Sequence, residues 1–263
     1  MLVVGAAYIA GCGGAGILAA TSMPTSADAA PPTTSRDREL KYGLPVGRVV
    51  FARRMLSAAC RPDEKYPSGR IWTIYYDTPR LASLREKVNS DYLKLKIRLR
   101  WYAELERPPS GPAFIEAKRR VGTRRDKVRA VAPYAASELV KWSLDDRRLT
   151  TLPQLLRAHG IVLHGLWQPV VLISYRRERY VEPASRARVN LDSEITALAL
   201  HSGFSSSFTP GPLELAVVEV KGWQEDLPIA LHNLLPLGAR KLSISKLLAI
   251  HRHVTGASTR SLS

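Results

Sequence analysis

Disulfide chemistry is all but absent from this chain. It has 2 cysteines, Cys12 and Cys60, too few for a disulfide framework, and no CxxC pair offers a zinc site. The 6 histidines are scattered; His251 and His253, two apart, do not share a helical face and read as surface residues rather than metal ligands. Acidic residues are also scarce. Lys and Arg number 39 against 23 Asp and Glu, a net charge of +16. Such a balance points to a polyanionic partner, namely nucleic acid, an anionic membrane surface or phosphate-rich small molecules, unless the protein is simply basic. No stretch is long and apolar enough to span a bilayer. There is no GxSxG, no GxxxxGK[ST] loop and no Cys/His pair in a motif context. Hydrophobic residues make up 45% of the 263 positions, so a sizeable core is expected, in one domain or one domain plus tails.

The N-terminus stands apart. MLVVGAAYIAGCGG is apolar and ends in Ile9-Ala10-Gly11-Cys12, which is similar to a bacterial lipoprotein cleavage box. A secretory signal opens with positive charge, and none precedes Arg36. The favoured expectation is an ill-chosen start on a cytoplasmic protein; the alternative is a lipoprotein anchored through Cys12. Residues 20–35 are small, polar and Pro-rich and read as a flexible linker. The organisation expected is therefore residues 1–35 as apolar segment and linker, one domain over 36–254, and a disordered tail over 255–263.

Within the domain, RELKY (38–42), RIWTIYYDT (70–78), the stretch 91–102, AFIEAKRRV (113–121), PVVLISYRRERYV (169–181), ARVNLD (187–192) and LELAVVEVKGW (213–223) read as strands. Helical character is expected at 47–60, at 79–89 with a proline in the first turn, over 133–158 with a break near Leu152-Pro153, and at 245–253. Long strands that follow one another argue for antiparallel pairing, either α+β or a barrel with helical inserts.

The strands share a pattern. In YLKLKIRLRWY (92–102), Lys94, Lys96, Arg98 and Arg100 alternate with Leu93, Leu95, Ile97, Leu99 and Trp101, so period two places the cations on one face. Glu116, Lys118 and Arg120 share a face, as do Arg188, Asn190 and Asp192, Glu219 and Lys221, and Glu39 and Lys41. In 175–179 the sorting is less clean: Arg177 and Arg179 lie on one face, Arg176 and Glu178 on the other. For any single strand a wet sheet face is the simplest account. Across many strands the density matters. Like charges roughly 7 Å apart repel by about 0.6 kcal/mol in water and about 2.4 at an effective dielectric near 20. Inside a closed sheet such a row needs compensating anions. Carboxylates there suit a divalent cation, and metal with Lys and Arg can neutralise phosphoryl oxygens.

The ordered set ELKY (39–42), YYDT (75–78), KIRLRWY (96–102), FIEAKRR (114–120), YRRERY (175–180), RVNLD (188–192), VVEVKG (217–222) and SISKL (243–247) resembles the VTC domain. That domain is the polyphosphate polymerase module within the CYTH-like triphosphate tunnel metalloenzymes, and the likeness runs from about residue 36 to about 254. It implies an α+β fold: an antiparallel β-barrel tunnel with helices packed outside. It implies transfer of the ATP γ-phosphoryl group to a growing polyphosphate chain with a divalent metal, Mn²⁺ or Mg²⁺. The basic positions of the family match Lys41, Arg98, Arg100, Lys118, Arg176, Arg188 and Lys127, with Lys221 beside them. Arg98, Arg100, Lys118 and Lys246 take the catalytic role by this likeness. Lys41, Lys127, Arg176, Arg188, Lys221 and Ser245 would grip substrate. Glu219 matches the metal-binding glutamate, with Glu39 and Glu116 at further acidic tunnel positions. The sequence departs from the pattern at Asp37, Asn190 and Leu247, where a glutamate, a hydroxyl residue and an aromatic are usual.

Phosphoryl transfer needs positioning and charge neutralisation rather than a nucleophilic side chain. Arginine offers bidentate phosphate contacts and lysine a mobile point charge. Two alternatives stay open: hydrolysis of triphosphate or a nucleoside triphosphate on the same fold, and a non-catalytic polyanion-binding module. Sequence-specific nucleic-acid binding is not expected, because Trp101 lies on the apolar side of its strand and exposed aromatics between basic residues are few. ATP and inorganic polyphosphate are the partners implied. Relatives often work with membrane proteins, so a membrane-protein partner is an option for a chain with no span of its own. Asp77 reads as a turn residue, Asp192 as a partner for an arginine. Trp72, Trp142, Trp167 and Trp223 read as packing residues, with stacking of adenine by a tyrosine or tryptophan near the mouth as the alternative; Arg119, Arg124 and Arg125 read as solvated, with steering of phosphate chains as the alternative.

Overall fold

The computed structural model describes residues 38–89, 92–122, 124–202, 204, 211–243 and 245–255. The lipoprotein-like box at Cys12, the 1–35 linker and nearly all of the expected 255–263 tail lie outside these residues. Eleven strands form one sheet. In chain order they are β1 (Arg38–Pro45), β2 (Arg61–Pro62), β3 (Ser68–Asp77), β4 (Leu93–Ala103), β5 (Pro112–Val121), β6 (Arg124–Ala135), β7 (Gln168–Val181), β8 (Arg188–Leu200), β9 (Gly211–Pro212), β10 (Leu215–Gly222) and β11 (Arg240–Lys241). The helices are α1 (Val49–Ala59), α2 (Ala82–Val88), α3 (Ala136–Leu139), α4 (Arg147–Thr151) and α5 (Lys246–Val254), with short 3-10 turns at Leu152–His159 and Ile229–Leu234.

The strand order is β11-β1-β10-β8-β7-β3-β4-β5-β6, with β2 on β7 and β9 on β8. The pairings are antiparallel throughout. The fold is thus the expected α+β arrangement, tunnel-like, but the barrel is not strictly closed: among the described residues no ladder joins β6 to β11. Curvature still brings the two flanks together, since Lys118 of β5 feels the charges of Glu39 on β1 and Lys221 and Glu219 on β10.

Alternation produces the layers. On β4, Ile97, Leu99 and Trp101 are fully buried, beneath α3, α4 and the 152–159 turn with Ile115, Ala117, Leu149 and Leu156. On the other flank, α1 buries Val49, Ala52 and Leu56, spaced as one helical face, against Tyr42, Leu44, Val189, Leu191, Val218 and Val220. Helix α1 ends where Cys60 turns extended and Pro62 follows two residues on, since proline cannot continue a helix. Both covers lie on the convex side. A third apolar cluster lies on the concave side, where Leu247, Leu248 and Ile250 of α5 and Leu84 of α2 meet Ile71, Tyr75, Ile173, Tyr175 and Val217. Two of the helices therefore enter the concave side instead of packing outside.

Two expectations for secondary structure change. The helix expected from residue 133 begins only after β6, and it is divided into short α3, α4 and a 3-10 turn. Arg125, Lys127 and Arg129 alternate with Val128, Ala130 and Ala132, a strand pattern that Pro133 masks; proline is tolerated there because β6 is an edge strand. Strand β8 runs eight residues beyond Asp192. Its alternation is interrupted by a register shift against β7 at Ser174/Arg176, next to Glu194 with φ 53°. A β-bulge of this kind hides strand continuity from a period-two pattern.

Candidate functional site

Register fixes which side chains share the concave face. Glu39 pairs with Lys221 and Lys41 with Glu219 across β1 and β10; Glu219 meets Asn190 and Lys221 meets Arg188 across β10 and β8. On the other flank Lys96, Arg98 and Arg100 face Lys118, Glu116 and Phe114, and Glu116 and Lys118 face Arg129 and Lys127. The row of cations in YLKLKIRLRWY thus becomes part of a patch spanning three strands, not an isolated stripe.

The carboxylates on this face are enclosed by cations. Glu116 is fully buried; one oxygen accepts from Arg98 Nε at 2.8 Å, the other from Arg129 Nε at 2.9 Å with Lys127 Nζ at 3.1 Å. Burial pushes its carboxyl up, but Arg98, Arg100, Lys127 and Arg129 together hold it well below the usual range. Arg100 is anchored separately, donating to Thr73 Oγ1 at 3.2 Å and to Tyr175 Oη at 3.1 Å.

Asp192 forms the second enclosed carboxylate. It accepts two bonds from Arg177, at 2.6 and 2.7 Å, and one from Lys246 Nζ at 2.5 Å. Lys246 opens α5, so this contact holds the helix start at the middle of the concave face, with the ammonium 4.7 Å from the Tyr175 ring centroid. Burial depresses the Lys246 amine, but Asp192 and Tyr175 more than reverse that, and it stays charged well into the alkaline range. Arg177 also reaches Glu219 at 3.2 Å, which links the Asp192 group to the β1–β10 flank.

Glu219 and Glu39 form the acidic edge. Lys41 Nζ lies 2.9 Å from Glu39 and 3.8 Å from Glu219, and Lys221 lies 3.7 Å from Glu219. The two carboxyls are within hydrogen-bonding reach of each other; burial pushes Glu219 up, while Lys221, Glu39, Arg177 and Lys41 bring it below its ordinary value. Among the described residues no group of three or more His, Cys, Asp and Glu gathers as a metal cage. The donor set nevertheless fits Mg²⁺ or Mn²⁺ of the kind that takes one or two carboxylates and completes its shell with phosphate oxygens and water. Glu39 and Glu219 are the residues that fit. Glu116, with both oxygens engaged by arginine and lysine, fits the role of holding those cations in place.

The other residues singled out in the sequence divide clearly. Arg188 and Lys221 line a pocket of ≈ 200 Å³ with Asp63, Arg179, Tyr180 and Asn190. Ser245, the residue before α5, accepts from Lys96 Nζ at 3.3 Å. Arg176 is not brought to this assembly. It lies on the convex side and donates to Glu178 at 3.3 Å, which also accepts from Arg53 of α1 at 2.8 Å. The neighbouring Arg177 takes the inward position. The parity of YRRERY groups Arg177 with Arg179 and Tyr175, but does not say which of the two groups faces inward. Lys96, placed on the cationic face by its strand's alternation, joins the site through Ser245; Arg129 and Tyr175 are site residues that sequence reasoning misses, Arg129 because Pro133 disguises its strand.

Asp77 acts as the turn residue expected: its oxygens accept from the backbone of Thr78, Ser83 and Leu84 at 2.7, 2.8 and 3.0 Å, fixing the start of α2. Asp192 is the arginine partner expected. Trp167 packs in the core, Trp142 lies under the Arg148 guanidinium at 3.7 Å, and Trp223 is 71% exposed, so packing does not account for it. Arg119 and Arg124 both reach Asp126. Among the described residues no helix is long and apolar enough to cross a membrane.

The VTC domain model covers residues 36–251. Among solved structures, a Vibrio parahaemolyticus protein solved as a candidate adenylate cyclase aligns over 86% of this chain and 96% of its own, at 14% identity and TM-score 0.36. The Schizosaccharomyces pombe Mediator head module aligns over 76% and 92%, at 10% identity and TM-score 0.41. Both scores are too low to bear on the site. No curated protein matches.

Proposed function

The chain belongs to the VTC domain family, which supports a polyphosphate-related or triphosphate-binding function; from that premise we propose that it is an ATP–polyphosphate phosphotransferase. In this reaction the γ-phosphoryl group of ATP moves onto the terminal phosphate of an inorganic polyphosphate chain, with ADP leaving. The observation that carries the proposal is the imbalance of the concave face: two of its carboxylates are saturated by cations, and the cations still outnumber them. A bore this rich in fixed cations suits holding a polyanion in place more than activating a water. Glu116 and Asp192 are acceptors for arginine and lysine, while Arg98, Arg100, Lys118, Arg177 and Lys246 converge where phosphoryl oxygens would need neutralisation.

Arg98 and Arg100 are pre-oriented by Glu116 and by Thr73 with Tyr175. Such fixed forks suit the spread charge of a transferring phosphoryl group without reorganisation during the reaction. Lys246 supplies a point charge whose position Asp192 sets. Arg188 and Lys221 face a pocket at the edge of the site and are suited to the outer phosphates of the nucleotide, with Lys41 and Lys127 extending the grip. Mg²⁺ or Mn²⁺ on Glu39 and Glu219 would neutralise β- and γ-phosphate oxygens.

A single-turnover reaction with γ-labelled ATP, Mn²⁺ and an unlabelled short-chain polyphosphate primer tests this. Label in polymer that is digested by a polyphosphate-specific exophosphatase supports the transferase. Label released as orthophosphate without polymer overturns it in favour of hydrolysis, and ATP binding with no label transfer overturns it in favour of a binding module.

A further inference from the structure

On the convex side a row of polar residues runs beside the apolar covers. Ile71, Tyr175 and Asp192 face the concave side, so their chain neighbours Arg70, Arg176 and Ser193 face the other way. Register sets these three side by side: Arg70 of β3 stands opposite Arg176 of β7, and Arg176 opposite Ser193 of β8. Side chains so placed start about 4.5–5.5 Å apart, and like charges directly opposite each other destabilise a sheet. Ser193 is 2% exposed. Its hydroxyl and the Arg176 Nε are both buried, and among the described residues neither finds a hydrogen-bond partner. Such orphaned polar atoms are rare, because each gives up its water for nothing. The nearby carboxylates do not supply them. Glu178 accepts from Arg53 Nε of α1 at 2.8 Å and from Arg176 Nη2 at 3.3 Å, and Glu194 accepts from Arg70 Nη2 at 2.5 Å. Three guanidinium groups therefore meet two carboxylates. All three stay within reach of solvent, with side chains 29–30% exposed.

Glu194 adds a backbone irregularity. It holds a left-handed conformation, φ 53°, where the β7–β8 register shifts. Few non-glycine residues adopt it, and bulges gather beside functional sites, where they re-aim a side chain. This one brings Glu194 to Arg70 while Ser193 stays opposite Arg176. The geometry points to a convex oxyanion site, in which Arg70, Arg176 and Ser193 hold a free tetrahedral oxyanion of the phosphate and sulfate class. Guanidinium forks and a hydroxyl are the donors that such oxygens take. Donors from three strands suit oxygens that diverge tetrahedrally better than the flat pair of a carboxylate. The ion also becomes the counter-charge that Arg70 and Arg176 share. The site does not rest on the transferase assignment. It lies behind the concave face, since Arg177 and Asp192, next in the chain to Arg176 and Ser193, make their paired bonds on that side. An ion held there fastens β3, β7 and β8 together at the bulge, so its effect is on stability rather than on turnover.

The test compares thermal unfolding of the full chain in sodium sulfate or orthophosphate with chloride at equal ionic strength, each oxyanion at about 5 mM, too dilute for a bulk salt effect. Wild type, Ser193→Ala and the R70Q/R176Q double variant are measured together. Binding to the folded state alone raises the midpoint, and the wild type is expected to gain about 2 °C or more beyond either variant. Tripolyphosphate, offered to the concave face, is expected to bind all three proteins within about twofold. Ser193→Ala removes one oxygen and keeps both arginines, so it decides the question if the double variant fails to fold. Crystals grown with selenate are expected to show an anomalous peak between Arg176 and Ser193. Equal midpoint gains in the wild type and Ser193→Ala overturn the site, as do selenate crystals with only a bridging water there. A loss of tripolyphosphate affinity as large as the loss for sulfate also overturns it, because the variants would then be acting through the concave face.

Discussion

Two regions of the concave face are built from the same residue types and behave oppositely. Around Glu116 and Asp192, every carboxylate oxygen meets arginine or lysine, and the cations are locked at 2.5–3.1 Å from their acceptors. Around Lys96, the dominant neighbours are other cations, and Lys96 and Lys87 donate to serine hydroxyls. The first region is satisfied without a ligand and holds its geometry; the second is relieved only when an anion arrives. Removing a partner from a buried ion pair is costly, whereas removing a cation from a repelling group is not. Rigidity for transfer and capacity for binding therefore rest on different parts of one surface.

The sharpest way to break this contrast is at Glu116. Glu116→Gln leaves Arg98, Lys127 and Arg129 without their shared charge, and a loss of about 3–5 kcal/mol is expected in urea unfolding, with transfer reduced roughly a hundredfold or more. If stability is unchanged, the enclosed region is not holding its own geometry. Lys246→Ala should spare the fold better yet cost roughly a hundred- to a thousandfold in labelled-polymer formation; full activity would remove it from the transfer point. In the lysine region the expected signs invert. Lys96→Met should raise the unfolding free energy in urea by about 1 kcal/mol, while weakening tripolyphosphate binding.

Acidity distinguishes the regions as well. The folded Lys96 amine lies near 8, below its unfolded value, so its charge penalises the folded state fully below pH 8. That penalty fades as pH rises from about 8 towards the unfolded value, so this group adds stability in the alkaline direction. Binding moves the other way. Between pH 7 and 9 the ammonium loses its proton, and tripolyphosphate affinity should fall roughly fivefold, about 1 kcal/mol for one charged contact. Lys96→Arg should flatten that part of the profile. The groups facing Lys96 are Lys87 from α2, Lys41 from β1, Lys94 and Arg98 from its own strand and Lys118 across the ladder. The smallest effect belongs to Arg176→Ala. It should leave polymer yield unchanged and cost less than about 1 kcal/mol, since Arg176 contacts Glu178 on the convex side.

Alternation makes much of this visible in advance. Strands with polar residues two apart, such as 94–100 and 217–221, show both their conformation and their inward face, because packing on the convex side demands it. What alternation cannot show is where it is broken. The bulge near Glu194 conceals the second half of β8, and Pro133 disguises β6, so Arg129 is hidden with its strand. Parity alone leaves Arg176 and Arg177 equivalent; only the helix on one side, offering Arg53 to Glu178, decides between them. Lys87 is invisible for a different reason. Its contribution depends on α2 entering the concave side, a tertiary fact with no periodic trace.

Among the described residues, strand β6 is bound to the sheet by β5 alone, although it supplies Lys127 and Arg129. An edge ladder opens more readily than a central one. The amides of β6 should therefore exchange with deuterated solvent ahead of those in β7 or β8, and a polyanion gripping Lys127 should slow them. The protein would then carry a built-in reporter of occupancy, in which one breathing wall closes over a chain that the other walls hold from the start.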